Sequence, residues 1–326
     1  MRNHELDRPT AQSPDRQILF DSDFLKKLEY LYIISKRLFG GQARAERRAR
    51  KLGSGLEFAD HRGYSPGDDF RYVDWKAFQR LEKLLVRLFE EEQDLPIYLF
   101  LDTSRSMGVT QPLVGNARGS GVFHSGQEGE LSKLDYGRQI AAALAYIGLA
   151  QLDRVTLCAF SERLHRELHG LRGKGQIFKA FSFLTGLVPD GHTRAEDVFV
   201  SFCTTRRKRG MVVVISDFFH PGGFGRGLDV LRYYQHELFM LHVTSASDAD
   251  PPLRGDVRLV DSELGLIEDV AITPSLIEAY RRTYDRFCEE LASYCWRHGI
   301  GYIRTPVEMP FDDAILKVFR KGGFLG

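Results

Sequence analysis

The stretch Leu99-Phe100-Leu101-Asp102-Thr103-Ser104-Arg105-Ser106 joins an apolar run to a carboxylate and two hydroxyls at alternating positions, D-x-S-x-S. Hard divalent cations take oxygen ligands, and Mg²⁺ takes few of them from protein while keeping several waters. One carboxylate and two hydroxyls on a tight loop supply such a partial shell. Taken alone, the same residues also suit a strand-end turn in which Ser104 and Ser106 cap local backbone groups. A second carboxylate, Asp217, ends another apolar run, Met211-Val212-Val213-Val214-Ile215-Ser216. In open α/β sheets, ligands bind outside the carboxyl ends of strands where the strand order reverses. If these two strands are neighbours there, Asp102, Ser104, Ser106 and Asp217 converge. Gly191-His192-Thr193 offers a further hydroxyl, and Thr185 is a weaker alternative.

Other chemistries fit less well. His165-Arg166-Glu167-Leu168-His169 meets neither zinc-protease order, H-E-x-x-H or H-x-x-E-H, and strand alternation puts both histidines on a solvent face beside Glu167. The glycine-rich pieces at 119–129 and 222–227 form no phosphate-binding motif, and no G-x-S-x-G elbow occurs. His192 and His220 flank the proposed site; a base approaching Ser104 or a metal would turn it toward hydrolysis. Cys158, Cys203, Cys288 and Cys295 form no C-x-x-C pair and read as buried free thiols.

The elements that must position these residues follow from periodicity. Phe24 to Phe39 has helical spacing behind a cap at Asp21 or Ser22. From Leu95 strands and helices alternate. Strands are expected at 97–102, 154–160, 211–217, 238–244 and 300–304, with a return arm at 164–168. Helices are expected at 134–152, 176–187, 195–205, 228–236 and 312–319. Thr273 and Pro274 open a long helix that Gly299 closes, after a small hairpin at 257–270. Continuous apolar strands imply a mostly parallel, doubly wound sheet covered on both faces. The segment 108–132, polar and rich in glycine, reads as a mobile loop that can contribute to partner choice.

Residues 1–20 read as a disordered tail, 21–94 as an N-terminal segment, and 95–326 as the α/β domain. Within 53–94, Arg62, Arg71, Asp68, Asp69 and Asp74 can interlock as ion pairs around Tyr64, Phe70 and Trp75, a clasp or a docking surface. The basic run at 44–51 has no interleaved aromatic residues and reads as a solvated face.

Of the 326 residues, 43% are hydrophobic and 27% charged, which suits an ordinary globular chain. Lys+Arg 45 against Asp+Glu 44 gives a formal charge of +1, so no global drive toward nucleic acid or anionic membrane is expected. The polar N-terminus and the lack of a long apolar run make the cytoplasm the expected compartment.

Asp102-Thr103-Ser104-Arg105-Ser106, Thr193 and Asp217 resemble the metal-ion-dependent adhesion site (MIDAS) of von Willebrand factor A domains, which have a Rossmann-like fold. The resemblance implies hydroxyl ligands from Ser104, Ser106 and Thr193, and direct or water-bridged carboxylates from Asp102 and Asp217. It also implies Mg²⁺, with Mn²⁺ or Ca²⁺ as alternatives, whose open position takes a partner's carboxylate. Many of those domains have Gly where this chain has Phe218. The blocks 55–58, 62–71 and 73–75, with Ser216-Asp217-Phe218, resemble the bacterial domain-of-unknown-function family 58 from about residue 36 onward. That resemblance implies a non-enzymatic adaptor or accessory protein working with a MoxR-type AAA+ ATPase in a chaperone-like maturation system. A metal-assisted hydrolase or phosphatase using the same acidic cleft is the alternative.

Overall fold

The structure is a computed structural model. It describes residues 19–39, 52–53, 57–90, 96–109, 114–116, 122–123, 131–205, 208–220, 222–261 and 266–320. The basic run at 44–51 and most of the N-terminal tail lie outside the described residues.

A six-stranded sheet organises the chain. Its strands are β1 (Ile97–Asp102), β2 (Val155–Phe160), β3 (Leu164–Leu171), β4 (Met211–Ser216), β5 (Glu237–Thr244) and β6 (Gly301–Pro306). Their spatial order is β6-β5-β4-β1-β2-β3. All neighbours are parallel except β3, which returns antiparallel along β2 as the short hairpin spacing requires. After β1 the chain builds outward through β2 and β3, then crosses to the other side for β4, β5 and β6. The order therefore reverses between β1 and β4, where Asp102 and Asp217 lie.

Alternation sorts the continuous apolar strands into two cores. Ile97, Leu99 and Leu101 of β1 and Met211, Val213 and Ile215 of β4 face one side. That side is covered by helices α1 (Ser22–Phe39), α2 (Lys133–Ala150), α3 (Ile177–Thr185) and α7 (Phe311–Arg320). Tyr98, Phe100, Val212 and Val214 face the other side, under α4 (Ala195–Thr204), α5 (Gly225–Tyr233) and α6 (Pro274–Arg297). Helix α1 belongs to the first core through buried Phe24, Leu28 and Leu31, and Lys27 pairs with Asp312 at 3.1 Å. Asp21 caps it, as expected, by accepting from Phe24 N at 2.7 Å.

Two expectations change. Part of the 108–132 segment is strand: Val114–Asn116 and Val122–Phe123 extend the 255–260/267–272 hairpin into a four-stranded antiparallel sheet. The Val114–Asn116 strand gets its partner from a segment some 140 residues away, which local composition does not announce, and Val122–Phe123 pairs in turn with Val114 and Gly115. Residues 110–113, 117–121 and 124–130 of that segment lie outside the described residues. The 57–90 segment makes a small antiparallel sheet with the expected Arg62–Asp68 and Arg71–Asp69 pairs. Asp74, however, pairs with His61 at 2.9 Å and caps the Trp75–Leu81 helix. Tyr64 stacks on Phe70, whereas Trp75 stays half exposed, so the clasp is looser than expected.

Candidate functional site

Asp102 ends β1 with its side chain fully buried. Such a carboxylate needs several donors. Ser104 N donates to Oδ1 at 2.9 Å. Ser216 Oγ, on the neighbouring strand, donates to Oδ2 at 2.6 Å, and Thr193 Oγ1 donates to the same oxygen at 3.1 Å. Burial, and next the Asp217 carboxylate, push the Asp102 carboxyl up to about 6.

The loop carrying Thr193 is tied to the β1 turn by backbone bonds. Asp190 N donates to Thr103 O at 2.8 Å, and Arg105 N to Gly191 O at 3.1 Å. Gly191 sits at φ 71, the left-handed region that favours glycine, and folds close over Ser161 and Glu162. Ser104 Oγ and Ser106 Oγ are 3.0 Å apart at the start of the Arg105–Gly108 turn. Asp102, Ser104 and Ser106 therefore gather on one turn, and the loop before α4 brings Thr193 to them. Thr185 does not join them: it ends α3 on the exposed surface.

Asp217 follows β4, 1% exposed. Phe219 N donates to its Oδ1 at 3.2 Å, and Phe218 N donates to Ser216 Oγ at 2.9 Å. Phe218 itself takes φ 57 and is buried against Phe224 and His242. A left-handed L-residue costs roughly 1–2 kcal/mol, here offset by burying the ring. The position keeps a backbone that glycine would adopt freely, while its side chain fills the second core.

The residue that sequence reasoning missed is Lys133, the first of α2. Its Nζ lies 2.7 Å from Asp217 Oδ2 and 3.3 Å from Asp248 Oδ1, with the side chain 6% exposed. Burial alone pushes its pKa down, but Asp217 and Asp248 together outweigh that and hold it above the ordinary lysine value. Gly137, one turn on, brings α2 against β1, since a Cβ there would stand 2.8 Å from Leu101 Cδ1. The only local signal was a lysine in the first turn, the end of a helix dipole that disfavours cations. Asp248 is fixed by its own capping box with Ser245.

A cavity of about 500 Å³ adjoins the site. Ser106, Lys133 and Asp248 are among its polar lining residues, and Phe219, Leu253 and Ile277 among its apolar ones. The flanking histidines are engaged elsewhere. His192 Nδ1 lies 2.9 Å from Glu162, and His220 Nδ1 accepts from Gly222 N. His165 and His169 are exposed on β3, as alternation predicted, although His165 Nε2 reaches Thr103 Oγ1 at 3.2 Å. All four cysteines are free and buried.

Among the described residues no three His, Cys, Asp or Glu side chains surround one point. A cation here would rest on two carboxylates and neighbouring hydroxyls. That donor chemistry suits a small hard ion. Asp102, Ser104, Ser106 and Thr193 fit it as they stand, whereas Asp217 Oδ2 is already held by an ammonium.

The chain belongs to the family described as protein of unknown function DUF58, which matches residues 60–290. An uncharacterized protein of Mycobacterium tuberculosis is 26% identical over 284 residues, covering 85% of this chain and 84% of its own length. One of Mycobacterium avium is 34% identical over 76 residues, 23% of this chain and 44% of its own. Solved structures similar to it include a conserved hypothetical protein, BatB, from Bacteroides thetaiotaomicron (TM-score 0.42, 16% identity, 71% of this chain and 98% of that one). An aerotolerance-related membrane protein from Bacteroides fragilis gives TM-score 0.40 and 16% identity over 70% of this chain and 98% of that one. An uncharacterized membrane spanning protein from Vibrio fischeri gives 0.21 and 11% over 69% and 96%.

The expectation of a cytoplasmic location does not stand: two of these structural neighbours are described as membrane proteins. That expectation rested on a polar N-terminus and the lack of a long apolar run, neither of which fixes a compartment. Among the described residues, no helix is long and apolar enough to cross a membrane.

Proposed function

We propose that residues 95–326 form a von Willebrand factor A-like, Rossmann-like domain that binds a partner protein through a MIDAS-like cation site, with residues 21–94 as its N-terminal extension. Asp102, Ser104, Ser106, Thr193 and Asp217 hold the ion, which is Mg²⁺, with Mn²⁺ or Ca²⁺ as other candidates. The carrying observation is the convergence of Asp102, Thr193 and the two serines at the strand-order reversal, where open α/β sheets bind ligands. The left-handed backbone at Phe218 supports the same reading, because it matches the glycine of many such domains at that position.

The bound ion supplies an electrophilic point for an acidic side chain of the partner. The protein's own residues do the rest. Asp102 and Asp217 balance the charge, the hydroxyls leave the ion short of negative ligands, and the cavity beside Ser106 receives an apolar side chain next to the acidic one. No histidine is hydrogen-bonded to Ser104 among the described residues, so a binding role is favoured over hydrolysis. The partner class that the family resemblance implies is a MoxR-type AAA+ ATPase or its client.

Isothermal titration with Mg²⁺ and Mn²⁺ tests the site. Binding to the wild type that is lost in Asp102→Ala supports it, and no binding to the folded wild type removes it. Co-purification of the cognate ATPase, sensitive to chelator and to Asp102→Ala, tests the partner.

A further inference from the structure

The cation-site reading leaves one resident charge unexplained: Lys133 stands on a carboxylate that the ion needs. Its ammonium is buried, 2.7 Å from Asp217 Oδ2. The other oxygen, Oδ1, accepts from Phe219 N at 3.2 Å. An ion held by the Asp217 carboxylate would share it with the ammonium, and the repulsion between two cations is poorly screened in a buried site. Lys133 has a second holder that does not depend on Asp217. Asp248 Oδ1 lies 3.3 Å away, and Asp248 is anchored by its Oδ2 accepting from Ser245 N at 2.8 Å. Lys133 also lines the adjoining cavity, as does Asp248.

Resting on the cation-site reading, we propose that Lys133 is an internal competitor of the divalent ion. The site has a lysine-closed form, in which the ammonium neutralises Asp217, and a metal-loaded form, in which Lys133 leaves Asp217 and keeps Asp248 in the lining of the cavity. Lys133 is thus a positioning residue that sets how readily the ion enters. It also couples ion occupancy to the lining of the cavity where the partner's apolar side chain would sit.

Two measurements on the full chain test this. Calorimetry with Mg²⁺ and Mn²⁺ compares wild type with Lys133→Met and Lys133→Gln; the variants are expected to bind at least about tenfold more tightly, since the competing charge is gone. Reductive methylation of the wild type, read by mass spectrometry, follows Lys133 directly and needs no variant. Its modification is expected to rise several-fold at saturating Mg²⁺, because the ammonium leaves its most enclosing partner. A mere loss of repulsion in the variants would not change that reactivity in the wild type. If Mg²⁺ binds and Lys133 stays as protected as before, or if all three chains bind equally, ion and lysine coexist and the proposal fails while the cation site stands. Absence of binding to wild type and variants alike overturns the cation site, and this inference with it.

Discussion

Asp74 and Asp102 occupy the same kind of place, the end of an extended segment just before a helical turn, and their environments drive them in opposite directions. Asp74 is solvated. It accepts from Ala77 N and Lys76 N and pairs with His61, and these donors, the Ala77 N–H foremost, pull its carboxyl down to about 2. Asp102 also accepts a backbone N–H two residues on, but burial dominates and lifts it to about 6. The clusters around them differ likewise. Arg62–Asp68 and Arg71–Asp69 lie on the surface, whereas Lys133–Asp217 is sealed, 6% and 1% exposed. The same aspartate is therefore a partly exposed helix cap in one region and a buried carboxyl with a raised pKa in the other. Exposed pairs are screened and contribute little; a buried pair leaves a stranded charge when either partner is removed.

The comparison breaks most visibly at Lys133. Lys133→Met strands Asp217 and should cost about 3–5 kcal/mol in metal-free protein, read by chemical denaturation, with much of the loss recovered when Mg²⁺ is added. Equal stability to wild type would mean that Asp217 finds water or another donor.

Asp102→Asn sharpens the buried side through pH. A carboxyl raised from 3.8 to about 6 in the fold contributes stability that is fully present below about 4 and is lost as pH rises through about 6. Metal-free Asp102→Asn should therefore gain on the wild type by about 2 kcal/mol between pH 4 and 6. Only the difference between the two chains is informative. Buried His242, lowered to about 4 mainly by burial, tilts both in the opposite sense across that window.

Gly137→Ala would force α2 away from Leu101 and should destabilise by roughly 1–3 kcal/mol through overpacking. It should also weaken the Lys133–Asp217 contact, visible as greater amine reactivity of Lys133. Thr193→Val removes one donor to Asp102 and should cost about 1 kcal/mol, with a weaker response to Mg²⁺. On the exposed side, Arg71→Ala should leave the thermal midpoint unchanged within error. A clear drop there would show that the 57–90 segment carries more of the fold than its solvated pairs suggest.

Much of this was legible along the chain. The apolar runs at 97–101 and 211–215 announced buried strands because residues covered on both faces cannot alternate with polar ones. Pro274 after Thr273, and Gly299 at φ 66, marked the bounds of α6 through backbone chemistry that is local. Asp102, Ser104 and Ser106 were visible because alternate residues on one short loop must meet. Thr193 was reachable only by guessing which loop crosses β1. Lys133 gave almost no sign, since its partners lie 84 and 115 positions away. The strand at 114–116 was hidden for the same reason, since it pairs with a distant hairpin, and the strand at 122–123 forms only along it.

The sequence by itself therefore determined an α/β chain with two carboxylates and nearby hydroxyls at strand ends, because periodicity, caps and short spacings are properties of neighbours. Which strands lie side by side, and so which charges share one buried volume, was decided by the tertiary structure alone. Burial and proximity across the sheet lift Asp102 to about 6 and place Lys133 on Asp217. Both effects depend on low dielectric and distances of a few ångströms, quantities that no local spacing encodes.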